Sequence, residues 1–346
     1  MSDFVSEQLE VDDNFEAVQG LYLERGWTDG LPVVPPTLER VTDMLSATPM
    51  QPQDIIGEIP PNWGSATVEK LAVNAVMAGC RPEYFPVLIA SVEAICDEAF
   101  NLYAIQATTH PCAPLIIVNG PICEELGMHG GSGAFGPGWQ PNATIGRALR
   151  LVQLNVGGAS PGVGDMSTQG APSKYTYCVA ENEEANPWES LSIERGFRSD
   201  QNTVTVMAGE PPHNINDHSG SSAEDILTII AGAISITGAN NAYTGGETLL
   251  ALGPEHAATI AGDGFGKKEI RDWLHRNARI PLERYTEETM IERFLKIPDG
   301  PVPMVVDPGL LTIIVLGGPG KHSSWVPTFG GSTHSVTREI RRAWPV

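Results

Sequence analysis

Four short stretches of this 346-residue chain gather the residue types that move protons, attack electrophilic carbon or hold anions. The first is ATTHPCAP, which sets His110 two residues from Cys112 just ahead of the apolar run Leu115 to Val118. A histidine beside a cysteine can stabilise the thiolate that nucleophilic or redox chemistry needs, and residues i and i+2 of an extended segment share a face. The second is MHGGSGAFGPGWQPNATIGR, a glycine-rich loop carrying His129 that runs into a helix predicted to start at Asn142. Glycines let backbone N–H groups turn toward a ligand, and Arg147 in the first turns of that helix is a candidate anion clamp. The third is SKYTYCVAENEEANPWES, where Lys174 and Glu181 flank Cys178 as candidate acid or base. The fourth, GGPGKHSSWVPTFGGSTHSVTRE, is the densest, with Lys321, His322, Ser323, His334 and Arg338 behind one buried strand. In the leading assignment Cys178 or Cys112 is the thiol, His110 or His322 the base, and Glu181 a second acid–base group. Arg147, Lys321 and Arg338 then hold the anion, and His129, Lys174, Ser323 and His334 contact substrate.

The elements that must position these groups repeat. Residues 82–129 run through an apolar helix, a polar link, the strand LIIV, Gly-Pro and a second helix; residues 223–264 run through the same series. A partial third copy, LTIIVLGGPGKHSSW, repeats the strand and Gly-Pro. An apolar run of this kind reads as a buried strand whose C-terminal end feeds a tight turn, with Pro at the first helical position where its missing N–H is harmless. The fold class expected is therefore α/β, with residues 1–64 as an N-terminal arm and 65–346 as one domain containing the pseudo-repeat. In the second copy His256 follows Pro-Glu inside plain helix and reads as structural. Polar chemistry collects instead in the third copy, which places the expected site where that copy faces the glycine-rich loop and Cys178.

Further elements follow from local signals. A helix is predicted over 13–26, another after the cap Thr37, a strand over 54–61, a helix over 65–78 ending at Gly79, and strands over 174–181 and 202–209. Residues 157–173 carry no periodicity, and a stretch of that length usually works as a functional loop.

Composition narrows the class. With 42 acidic against 21 basic residues and a net charge of −21, the surface repels phosphate backbones and anionic lipid, so neither nucleic acid nor membrane is an expected partner. No apolar run approaches the length of a span, and the acidic N-terminus lacks the features of a secretion signal. Five cysteines without a CxxC pair fit free thiols in the cytoplasm better than a disulfide frame or a zinc ribbon. No HExxH or three-ligand spacing marks a metal site; His213, Asp217 and His218 in HNINDH make one candidate group, and a hydrolase or hydratase using His110, His129, His322 or His334 with carboxylates is the metal-dependent alternative.

Taken together, GWTDGLPVVPPT, AVMAGCRPEYFPV, PNATIGRALRLV, KYTYCVAENEEANPWE and GGPGKHSSW resemble a widespread, poorly characterised bacterial family of about this length. Its members are linked in gene context to proteins bearing a UGSC (selenocysteine or cysteine, Gly-Ser-Cys) redox motif. The resemblance implies a thiol-linked reductive system with that motif on a partner chain, since this chain contains no CGSC. The expectation is an oxidoreductase or lyase, homo-oligomeric, acting on a small polar or anionic organic molecule; no cofactor is specified. A non-catalytic subunit that binds substrate for a redox partner is the other alternative.

Overall fold

A computed structural model describes residues 4–331 and 333–342 and shows an α/β fold. Two mixed four-stranded sheets form its centre. In the first, the order is Val336–Glu339, Thr203–Gly209, Ala113–Asn119, Cys178–Ala180; in the second it is Leu311–Val315, Thr248–Leu252, His322–Val326, His213–Asn216. Each sheet has an apolar central strand, Ala113–Asn119 or Thr248–Leu252, with one parallel and one antiparallel neighbour. Burial on both faces explains why these strands read as unbroken apolar runs.

The edge strands are exchanged. After Gly209 the chain leaves the first sheet and enters the second at His213; after Val326 it leaves the second and enters the first at Val336. The two crossing segments pair with each other: Gly209 bridges Thr328, Glu210 N–H donates to the Pro327 carbonyl at 2.7 Å, and Phe329 N–H donates to the Ala208 carbonyl at 3.0 Å. Asn241 locks this seam, its side chain accepting Thr328 N–H at 2.8 Å and donating to the Glu247 carbonyl at 3.0 Å.

Both predicted strand–Gly-Pro–helix units form. Gly120-Pro121 leads into helix Ile122–Leu126, and Pro254 occupies the first position of helix Pro254–Gly262. The third differs: after Leu311–Val315 the Gly-Pro turn returns as the strand His322–Val326, because SSWV supplies β-branched and aromatic packing against Thr248–Leu252 rather than a helical face. Three boundaries also differ. The helix predicted over 65–78 starts at Val68, since Gly64–Thr67 pairs with Ile55–Ile59 and it is Thr67 whose hydroxyl accepts Lys70 N–H. The helix expected to be capped by Asn142 is Gln140–Asn155, with Pro141 in its first turn, leaving Asn142 inside. The strand predicted over 174–181 shrinks to Cys178–Ala180, preceded by a short 3₁₀ turn at Pro172–Lys174.

Helices Val68–Ala78, Phe85–Ile95 and Gln140–Asn155 pack with the first sheet, and Ala223–Ile234, Pro254–Gly262 and Lys267–Asn277 with the second. Near the start of the chain, buried Glu69 accepts the backbone N–H groups of Val5 and Ser6, at 3.1 and 2.7 Å. Among the described residues no helix is long and apolar enough to cross a membrane.

Candidate functional site

The segment before the first central strand is shaped locally. Helix Leu102–Ala107 ends at Thr108, whose hydroxyl accepts His110 N–H at 3.1 Å and turns the chain into the extended run ending at Cys112. His110 then reaches the seam: its Nε2 lies 2.6 Å from Glu210 Oε1, and its ring edge meets Phe329 with centroids 5.9 Å apart. Glu210 is itself held, its carbonyl accepting the Tyr177 hydroxyl at 2.8 Å. Against an ionised carboxylate, Nε2 carries the proton, so Nδ1 presents a lone pair. That Nδ1 is buried with no hydrogen-bond partner. A carboxylate-oriented imidazole with its second nitrogen free has the arrangement of a general base.

The loop 157–173 closes over this segment. Met166 N–H donates to the Gln106 carbonyl and Thr168 N–H to the Thr109 carbonyl, both at 3.0 Å, while the Ser167 hydroxyl donates to the His110 carbonyl at 3.2 Å. Its anchor is Asp165. Lys174 Nζ sits 3.0 and 2.9 Å from the two carboxylate oxygens, and Arg150 NH1 3.1 Å from one of them. Burial alone would raise the Asp165 carboxyl; the hydrogen bond and charge of Lys174, with Arg150, hold it below the usual carboxylate range. Two cations share the Asp165 carboxylate, and the Glu210 carboxylate beside the imidazole balances the second of them.

Beside Cys112 lies a cavity of about 10 Å³ lined by Cys112, Arg150, Ser173, Lys174 and Tyr177 and not by His110, with room for about one water. The Ser173 hydroxyl is buried there without a partner. Burial pushes the Cys112 thiol up to about 12, with Lys174 pulling down and Glu210 and Asp165 pushing up. A thiol in that range is protonated at neutral pH and is a poor nucleophile.

The other residues singled out from sequence lie elsewhere, in structural tasks. Cys178 is buried in the first sheet's core; burial raises its thiol well above the usual range, and the neighbouring Cys123 and Cys80 add to the rise. It does not line the depression where the glycine-rich loop and the third strand end meet. Those two do meet, Gly317 N–H donating to the Gly130 carbonyl at 2.8 Å, but around an open depression lined mostly by Gly, Ala and Pro. Glu181 spends both carboxylate oxygens inside the protein, accepting Asn119 Nδ2 at 2.6 Å, Leu191 N–H at 2.8 Å and Asn186 Nδ2 at 2.8 Å; burial raises its carboxyl while Lys267 lowers it. Arg147 is no free anion clamp, because its guanidinium grips Asp29 through two bonds of 2.9 and 2.8 Å and reaches the Leu31 carbonyl.

His129 stacks on Trp139 at 3.7 Å, with Nε2 on the Ser132 carbonyl. Lys321 donates to the carbonyls of Gly220 and His218, at 3.1 and 3.4 Å. Ser323 is buried; its hydroxyl donates to His256 Nδ1 at 2.8 Å and accepts Gly253 N–H at 3.1 Å, while His256 Nε2 donates to the Asp217 carbonyl. His334 approaches Glu247 at 3.5 Å, and Arg338 pairs with Asp97. The fourth stretch is thus dispersed across two strands and the seam. His322 is exposed and meets His218.

Of the sequence candidates, then, His110, Cys112 and Lys174 share one place. Glu210, Asp165 and Arg150 complete it and were not singled out from sequence. Two signals were available: Asp165 is the one charged residue in loop 157–173, and Glu210 directly follows the buried strand Thr203–Gly209. Among the described residues no cluster of three or more His, Cys, Asp or Glu side chains has metal-holding geometry. No protein-family model and no curated protein matches this chain.

Proposed function

We propose that the chain is an enzyme of the lyase or isomerase type that moves a proton on a small anionic organic molecule, with His110 as the general base. The observation that carries this reading is the buried, unpartnered His110 Nδ1 on the ring whose Nε2 lies 2.6 Å from Glu210. Glu210 fixes the ring and stabilises the imidazolium formed when Nδ1 takes the proton. Lys174 and Arg150 attract the substrate's negative group and stabilise charge developing as the proton leaves. Cys112 supplies wall rather than nucleophile, since its thiol is held protonated. The present cavity admits about one water, so substrate enters when loop 157–173 lifts.

The test is hydrogen–deuterium exchange at carbon. The protein is incubated in D₂O with a panel of small 2-oxo, 2-hydroxy and dicarboxylic acids, and loss of C–H signal is followed by NMR. Exchange of at least one acid is expected with the wild type, a drop of about 10²-fold or more with His110→Gln, and retention with Cys112→Ser. Exchange that survives His110→Gln and disappears with Cys112→Ser would overturn the reading in favour of thiol chemistry.

A further inference from the structure

His218 and His322 are 104 residues apart in sequence, yet their Nε2 atoms lie 3.2 Å from each other on the exposed edge of the second sheet. Neither residue belongs to the His110 site. His322 opens the strand His322–Val326, which pairs with His213–Asn216, and its Nδ1 lies 3.0 Å from Asn214 Oδ1. An amide oxygen only accepts, so that contact places the His322 proton on Nδ1 and leaves Nε2 with a bare lone pair. His218 sits in a turn held from three sides. Asp217 Oδ1 accepts Ser219 and Gly220 N–H at 3.1 and 2.8 Å, the Asp217 carbonyl accepts buried His256, and Lys321 Nζ binds the Gly220 carbonyl.

Ring positions distinguish two ways for such nitrogens to approach. Ring nitrogens lie about 1.15 Å from the ring centre, so a straight N–H···N bond of this length would hold the centres about 5.5 Å apart. Nitrogens bound to one ion at about 2.05 Å, as in zinc–imidazole bonds, and separated by this distance subtend about 103° at the ion, with ring centres about 5.0 Å apart. The centres here are 5.1 Å apart, with ring planes at 80°. The angle lies between octahedral and tetrahedral values. A metal-binding histidine usually donates its second ring N–H to an oxygen acceptor that fixes the ring, and Asn214 Oδ1 stands in that place for His322.

We infer that His218 and His322 form a two-histidine chelate for a first-row divalent cation of the Ni²⁺, Cu²⁺ and Zn²⁺ group, oriented by Asn214 and completed by water or an external donor. Imidazole nitrogen suits these ions, whereas Mg²⁺ and Ca²⁺ need oxygen. Two protein ligands leave several positions open, which gives the ion freedom to take a ligand from solution or from another molecule.

Calorimetry with ZnCl₂ and electron paramagnetic resonance with CuCl₂, on the full chain without a histidine tag, test the site. One ion per chain is expected, with coupling of Cu²⁺ to two imidazole nitrogens. His218→Ala and His322→Ala should each weaken binding more than tenfold and leave coupling to one nitrogen; Asn214→Ala should weaken it about tenfold with both nitrogens kept. All three side chains are exposed, so the variants should keep the wild-type circular dichroism. Zinc binding that is absent from the wild type, or unchanged in the double variant His218→Ala/His322→Ala, would overturn the inference.

Discussion

Asp165 offers the sharpest test of how the candidate site is held together. The substitution Asp165→Asn keeps the side chain's shape and removes its charge. In the native chain this carboxylate, with 4% of its side chain exposed, faces Lys174 and Arg150, which are 13% and 12% exposed. Neutralising it strands two buried cations. Breaking a buried pair by removing one partner costs about 3–5 kcal/mol, far above the value of a surface pair. That energy is local to the contacts that dock loop 157–173, so native-state hydrogen exchange reads it best. The Met166 and Thr168 amides, bonded to the Gln106 and Thr109 carbonyls, should exchange roughly a hundred- to several-thousand-fold faster in the variant. Amides of the central strand Ala113–Asn119 should be much less affected. The pH dependence has a defined direction. The folded carboxyl is held below its unfolded value, so its contribution is complete above about pH 4 and is lost as pH falls through the folded value. Wild-type loop amides should therefore lose protection in acid, while those of Asp165→Asn should already lack that component. Protection of Met166 and Thr168 within threefold of wild type in the variant at pH 7 would refute the assignment of Asp165 as the loop's anchor.

Two other expectations are simpler. Burial raises all five thiols, Cys80, Cys96 and Cys112 each to about 12, so a thiol reagent at pH 8 should label the native chain at a small fraction of the rate for the chain in denaturant; rapid native labelling of Cys112 or Cys178, located by peptide mapping, would contradict this. Gly253→Ala would place a methyl 2.0 Å from the His322 carbonyl oxygen, and should cost about 3 kcal/mol or more in urea unfolding, whereas Gly262→Ala, at the far end of the helix that follows Gly253, meets nothing within 4 Å and should be neutral or stabilising.

Much of the scaffold was legible because its signals are local. Pro254 after an apolar run, Thr37 ahead of a helix and Gly79 behind one act within a single turn of chain, and the structure uses all of them. Asn142 was misread for a related reason: a good capping residue sat near a helix start, but Pro141 had already begun the helix. The Asn142 side chain instead holds the backbone N–H and carbonyl of His129. The edge-strand exchange has no local signature, since VTRE and HNIN carry nothing that says which sheet completes them. The site suffered the same limit. His110 and Cys112 are visible as neighbours, but Glu210 lies 100 residues away, and only the seam brings it to the imidazole. Cysteine type suggested reactivity that burial withdraws.

The exchange also bears on how the site works. Glu210 and Phe329, the two groups that contact the His110 ring, each lie one residue beyond the bridge at which the chain passes between sheets, Glu210 after Gly209 and Phe329 after Thr328. They pair across that bridge in both directions, so neither can shift without straining bonds in both sheets. The His110 ring is therefore set at a seam of backbone hydrogen bonds between the two crossing segments. The loop carrying Asp165 is tied to the 106–110 segment by three hydrogen bonds, to Lys174 and Arg150 by an ionic cluster, and at its start by Asn62 N–H on the Gly157 carbonyl and Arg150 on the Ala159 carbonyl. Weakening the seam, for instance by Asn241→Ala, which removes the side chain that binds Thr328 and the Glu247 carbonyl, should then alter the orientation of His110. Weakening Asp165 should alter only access to it.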